Sequence, residues 1–311
     1  YEGGRSERGI GKFFAKYPET RKKVFLVSKS DERGPGGMTR LLNRSLERMN
    51  TDYIDLYFVH GIRDIDELDD STRAWAQKAK AEGKIRLFGF STHSNMEECM
   101  LEAAKLGWID GIMMTYNYRV MNKKKMKKAV AACKEAGIGL TAMKTQGGWS
   151  YGSSSAAKLV DSFVQKGFTD KQAKLKAVWT NSTIASICSQ MPNLTILMAN
   201  VAAAMDKTDL SAGDLQLLEQ YAKETASEYC AGCSNICETE LRGAVPVADV
   251  MRHLMYYESY GDRDRARSFY TQLSSGVRAR IGSLHYSLAE KRCPQGMAIG
   301  KLMRKAEQLL V

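Results

Sequence analysis

The sequence predicts a parallel α/β barrel followed by a helical tail that carries a cysteine site. Three observations predict it. Between Val24 and Gln190 short apolar runs alternate with longer amphipathic segments, the pattern of a parallel sheet covered by helices. Polar residues able to do chemistry close most of those runs. Beyond about Leu210 the alternation stops, and four of the seven cysteines fall in the part that follows.

The apolar runs are Val24–Lys29, Tyr53–His60, Arg86–Thr92, Gly111–Asn117, Gly137–Lys144 and Ile184–Gln190, mostly rich in Ile, Val, Leu, Phe or Tyr. Helical periodicity fills the gaps, as in Thr39–Met49, Asp66–Glu82, Met96–Leu106, Lys124–Ala136 and Asp170–Asn181. A doubly wound dinucleotide fold would carry G-x-G-x-x-G between a strand and a helix, and no run here is followed by it. The barrel is therefore expected. It places active residues at the carboxyl ends of strands, where Lys29, His60, Ser91, Asn117 and Lys144 fall. Eight strands are needed and six are visible, while Ser6–Lys16 reads as helix, so two further strands are expected upstream of Tyr1.

Composition bounds the class of protein. With 44% hydrophobic and 26% charged residues and five prolines in 311 positions, the chain can bury an ordered core. No stretch approaches ~18 consecutive apolar residues, so no membrane span is expected, and no leader peptide pattern opens the chain. It begins at Tyr1 without a Met, and the expected compartment is the cytoplasm, or the exterior if an upstream signal has been removed. The net charge of +11 suits a phosphate-bearing ligand or an acidic electron-transfer protein. Its densest block, Lys123 to Lys128, opens a helical pattern and reads as a solvated face. No nucleic-acid motif accompanies it, and no nucleic-acid partner is expected.

The cysteines divide into two kinds. Cys99, Cys133 and Cys188 sit among apolar neighbours and read as small core side chains. Cys230, Cys233 and Cys237, with Cys293 before Pro294, read as ligands.

Several linked motifs then resemble one family. Tyr1-Glu2-Gly3-Gly4-Arg5-Ser6-Glu7, VFLVSK ending at Lys29, DYIDLYFVH ending at His60 and FGFSTH from Phe88 resemble, in order, signatures of the aldo-keto reductases. The resemblance covers roughly Tyr1 to Lys223. It implies an (α/β)8 barrel that binds NADP(H) and reduces carbonyls with Tyr, Lys, His and Asp. Residue by residue, Tyr1 stands at the proton-donor tyrosine, Lys29 at the lysine and His60 at the histidine. The family's aspartate, in Asp-Thr-Ala-x-x-Tyr, would precede Tyr1. Ser91 and Asn200 match positions that touch the nicotinamide amide and the adenine, and Asn117 and Lys144 join them as cofactor-binding candidates. Met113 and Met143 replace a usual glutamine and a usual aromatic ring. Gln190, Met191 and Ile196 stand where cationic or hydroxyl groups would hold a 2′-phosphate, which leaves NADH as an alternative.

The tail resembles the ferredoxin-like extension on one branch of that family. Ferredoxins use C-x2-C-x2-C-x3-C-P, whereas here the run is Cys230-x2-Cys233-x3-Cys237 with a displaced Cys293-Pro294. Four thiolates suit one [4Fe–4S] cluster; a four-cysteine zinc site and disulfides are the alternatives. The expected domains are 1–223, the barrel, and 224–311, the helical cluster module. Two functions follow: an oxidoreductase acting on a small-molecule carbonyl, or a barrel kept as a binding or electron-transfer scaffold.

Overall fold

The computed structural model describes residues 2–147, 154–167 and 169–311. Tyr1 lies outside them. Six strands are present among the described residues, β1 (Val27–Ser30), β2 (Ile54–Ile62), β3 (Ile85–Thr92), β4 (Gly111–Thr115), β5 (Gly139–Met143) and β6 (Ile184–Cys188). They lie in one sheet in sequence order, and the first three pairings, β1 with β2, β2 with β3 and β3 with β4, are parallel. A sheet that adds each strand on the same side is singly wound, as in a barrel, whereas a doubly wound sheet reverses its order.

The crossovers are α1 (Arg5–Lys16) before β1, then α2 (Pro35–Met49), α3 (Asp70–Ala81), α4 (Met96–Leu106) and α5 (Lys124–Glu135), with α6 (Ser154–Val164) and α7 (Asp170–Trp179) before β6. Their ends follow from local chemistry. Pro35 opens α2, where a missing N–H costs nothing, and Asn50 closes it with φ 48°. Thr169 and Gln172 form a capping box on α7. β2 is buried on both faces from Ile54 to Val59, as a parallel strand under helices must be.

The chain packs as two compact units, residues 1–114 with 128–141, and residues 115–127 with 142–311. The boundary expected at 223/224 lies inside the second. In the first unit, Glu7 of α1 is buried and accepts from Ser45 (2.6 Å), Ser28 (3.2 Å) and Arg48 (3.3 Å). Burial pushes its carboxyl up, but those bonds outweigh it and hold the group below its usual value. A second buried carboxylate, Asp55 at the start of β2, accepts from Arg21 and from Leu26 N, which fixes the entry to β1.

The second unit continues through α8 (Leu194–Met205) and α9 (Ala212–Glu224) into α10 (Ser234–Glu240), α11 (Val247–Glu258), α12 (Arg263–Thr271), α13 (Ser275–Ile281), α14 (Ser287–Arg292) and α15 (Ile299–Leu310). Its helical core gathers Val245, Val250, Tyr270, Ile281, Met303 and Leu310, all fully buried. His253 of α11 is also buried, 5% exposed, with its ring 5.6 Å from that of Phe269 and Nδ1 unbonded. Burial drives this imidazole down to about 4. The unfolded chain therefore binds the proton more readily between its own value, about 6.5, and 4, so stability must fall as pH drops through that window. By pH 5 His253 should cost about 2 kcal/mol relative to pH 7. Denaturant titrations of wild type and His253→Gln at both pH values check this; the variant should lose that much less on acidification.

Candidate functional site

Alternation along a strand returns every second side chain to the same face. Lys29 is opposite Phe58, Phe58 opposite Gly89 and Gly89 opposite Gly111, one continuous row across four strands. Gly89 suits this row because a Cβ there would strike the Gly111 carbonyl and approach the Phe58 ring to 3.1 Å. Two positions further along, His60, Ser91 and Met113 stand over the row, at the carboxyl ends of β2, β3 and β4. Lys29 Nζ reaches Met113 Sδ at 3.0 Å, which fixes the two on a common face. The sequence-derived trio Lys29, His60 and Ser91 is thus brought together within the first unit.

A bulge shapes this end. Between Val59 and Ile62 the β2 register slips against β3 by one residue, at His60-Gly61. Gly61 has φ 70°, the left-handed region that glycine adopts without strain, and its N–H donates to Ser91 Oγ at 3.0 Å. Ser91 is wholly buried, and a hydroxyl that accepts one bond keeps its own proton to donate. His60 Nδ1 lies 2.5 Å from Asp31 Oδ1, just past β1. This His60 bond holds the Asp31 carboxyl below its usual value. Asp31 was not among the sequence-derived candidates; its only signal was its place two residues after Lys29.

The remaining candidates lie in the second unit. Asn117 is fully buried; its amide donates to the Lys144 carbonyl at 3.0 Å and to the Tyr229 hydroxyl at 3.1 Å, and its oxygen accepts from Arg119 N. Lys144, in a left-handed conformation with φ 57°, donates to Tyr256 at 2.6 Å. Arg119, buried and ringed by Tyr118, Tyr221 and Tyr229, bonds Gly147 and Thr225. Within the second unit, Asn117 is therefore bonded to Tyr229, the residue before Cys230, and Lys144 to Tyr256 of α11. Tyr229 and Tyr256 escaped sequence reasoning, since each joins positions 112 apart. Asn200 stands elsewhere, on α8, bonded to Ser189.

The four tail cysteines meet at one cavity. Cys230, Cys233, Cys237 and Cys293 line about 360 Å³ of space, part of it open to solvent, with apolar walls from Val247, Met251, Met297 and Ile299. α10 packs on α14, which returns Cys293 across the long gap, and an Arg292–Glu240 ion pair accompanies it. Cys293 is extended, φ −66° and ψ 116°, as the residue before a proline must be. Burial pushes the Cys230 and Cys237 thiols up to about 12. None of the seven cysteines is in a disulfide, and Cys99 and Cys133 are buried as expected, but Cys188 is exposed because most of β6 is. Among the described residues no three His, Cys, Asp or Glu side chains are gathered to hold a single metal ion. Among them, too, no helix is long and apolar enough to cross a membrane.

Comparison with known proteins gives this geometry a family. The methylglyoxal reductase YeaE of Escherichia coli is 36% identical over 102 residues, 32% of this chain and 34% of that protein. The glyoxal reductase of Bacillus subtilis is 33% identical over 103 residues, 32% of this chain and 37% of its own. The chain spans about a third to a half of the length of the curated relatives it matches. In fold it is similar to an aldo-keto reductase from Klebsiella pneumoniae in complex with NADPH, with TM-score 0.59 and 23% identity over 71% of this chain and 77% of that one. The holo form of an aldo-keto reductase from Bacillus halodurans gives 0.56 and 22%, covering 71% and 79%. The aldo/keto reductase family model matches residues 1–202, nearly two thirds of the sequence, and the chain belongs to the aldo/keto reductase family.

Proposed function

We propose that the protein is an oxidoreductase that reduces a small carbonyl compound with NADP(H) or NAD(H), and that its tail binds one [4Fe–4S] cluster. The observation that carries the first part is the placement of Lys29 and His60 on one face, at the carboxyl ends of neighbouring parallel strands. When bound, the reduced nicotinamide supplies hydride. Ser91 fits its amide end, with a buried hydroxyl free to donate, and Asn200 offers an amide for the adenine. The chain's own part is protonation and orientation. The family resemblance assigns the proton donor to Tyr1, and an ammonium such as that of Lys29, where it neighbours a phenol, favours the phenolate and brings a phenol of ordinary value ~10 closer to a useful acid. His60 orients the carbonyl.

Four thiols around one cavity support the cluster. Four cysteines can also close one shell ~2.3 Å from a single zinc ion, but three cysteines with a distant Cys-Pro is the ferredoxin spacing that favours the cluster. The cluster serves structure or one-electron exchange with an acidic carrier. The second reading, a scaffold without catalysis, is favoured by one fact: the polar groups of Asn117 are taken up inside the protein.

Titration of the full chain with NADPH and NADH, read by quenching of tryptophan fluorescence, separates the readings. Saturable quenching is expected, and none with either nucleotide would leave the scaffold. Because Gln190, Met191 and Ile196 offer the 2′-phosphate no cation, the preference for NADPH should stay below about tenfold, short of what a charged hydrogen bond contributes.

A further inference from the structure

The reductase reading makes no use of the lysine block that opens α5. Residues 120–127 hold four lysines and no carboxylate; Lys124, Lys125 and Lys127 are exposed, while Met126 between them is wholly buried. Lys123 is half-buried, and its ammonium donates to Gln295 Oε1 at 2.9 Å. Gln295 follows Cys293-Pro294 and lines the cysteine cavity with them, so within the second unit the block is anchored to the edge of that cavity. The carboxylates of α10 and α14 are engaged by the tail itself. Glu238 accepts from Ala248 N at 2.9 Å, Glu290 from Gly300 N at 2.8 Å, and Glu240 pairs with Arg292.

We propose that Lys124 and Lys127, together with the Cys293 edge of the cavity, form the docking surface for a small acidic protein that carries one electron. This rests on the cluster reading for the electron, but not for the docking. Lys124 and Lys127 are three positions apart on one helix and so share a face. Opposite charge raises the rate of encounter and sets the orientation in which the carrier meets the tail. Cys233 and Cys293, each partly exposed, put the cysteine site within reach of a carrier seated there. One electron leaves the carrier, which is oxidised, and enters the cluster, which is reduced; no bond forms or breaks and no proton moves. An acidic protein fits this surface better than other polyanions do. No aromatic side chain lies between Val120 and Lys128 to stack a base. Lysine ammoniums are point charges, without the fork that grips a phosphate from two sides.

The test uses the full, anaerobically purified chain and, as probe, a small acidic plant-type ferredoxin. Calorimetry reads binding, and stopped-flow absorbance after reduction of the ferredoxin reads electron transfer. Wild type should bind and accept the electron, with affinity falling at least about tenfold between about 50 mM and about 500 mM salt. Lys124→Glu with Lys127→Glu should weaken binding at low salt by at least about tenfold. Its iron content and melting should match wild type, because glutamates in the first turn of a helix suit its dipole. Lys12→Glu with Lys23→Glu, at exposed positions of the first unit, makes the same change in net charge and should cost less than about twofold. Wild type that does not bind, equal losses in the two variants, or tighter binding of poly(U) RNA through the same lysines overturns the docking surface. Iron-loaded protein that binds the reduced ferredoxin but takes no electron overturns the carrier role. A chain that holds no iron yet binds the ferredoxin through Lys124 and Lys127 ends the cluster reading and leaves the docking surface standing.

Discussion

Replacing Cys293 with serine should strip most of the iron from anaerobically purified protein and loosen the whole tail. Wild type is expected to be brown, to absorb broadly near ~400 nm and to carry about four irons. Cys237 and Cys293 are 56 positions apart (293 minus 237), and the segment between them includes α11, α12, α13 and α14. A metal-mediated cross-link over that span restricts the unfolded chain by roughly 4 kcal/mol, by analogy with a covalent bridge of the same length. Serine keeps the size of the side chain but binds iron poorly, so the loss is of ligation and not of packing. Iron analysis and thermal melting read it: iron per chain should drop by more than half, and the melting transition of the tail should fall. Colourless wild-type protein with one tightly held zinc would turn the site into a structural clip and remove the electron-transfer role.

The second large effect belongs to Lys29. Lys29→Met should lower kcat/KM for carbonyl reduction by about 10²- to 10⁴-fold, the range of a lost acid–base group. The fold should survive, because the lysine is only partly buried and already lies against the Met113 thioether, where another methionine packs well. Steady-state kinetics with a small dicarbonyl and NADPH, together with a melting curve, separate chemistry from folding. An unchanged rate would remove Lys29 from the mechanism.

The strands were legible because parallel strands buried on both faces must be continuous apolar runs, as β2 is. Their ends were less so. β1 begins at Val27 and not at Val24, since Val24 and Phe25 are exposed, 42% and 62%, and approach the sheet without pairing in it. The motif order singled out Lys29, His60 and Ser91, which adjacent strands carry, and spacing singled out the four cysteines, which line one cavity, because each of these signals is local. What sequence could not give is tertiary pairing. Asn117 looked like a cofactor ligand at a strand end, yet its partners include a tyrosine 112 positions away, and no periodicity encodes such a bond. Asp31 is close in sequence to Lys29 but gains meaning only when β2 brings His60 beside it.

As proposed above, this chain of the aldo/keto reductase family would transfer hydride from a nicotinamide to a carbonyl. The most direct measurement is oxidation of NADPH by the full chain in the presence of small aldehydes and dicarbonyls such as methylglyoxal and glyoxal, with alcohol product quantified. Stoichiometric NADPH consumption and alcohol formation, abolished in Lys29→Met, is the predicted result. Bound NADPH that remains reduced with every carbonyl offered would contradict it.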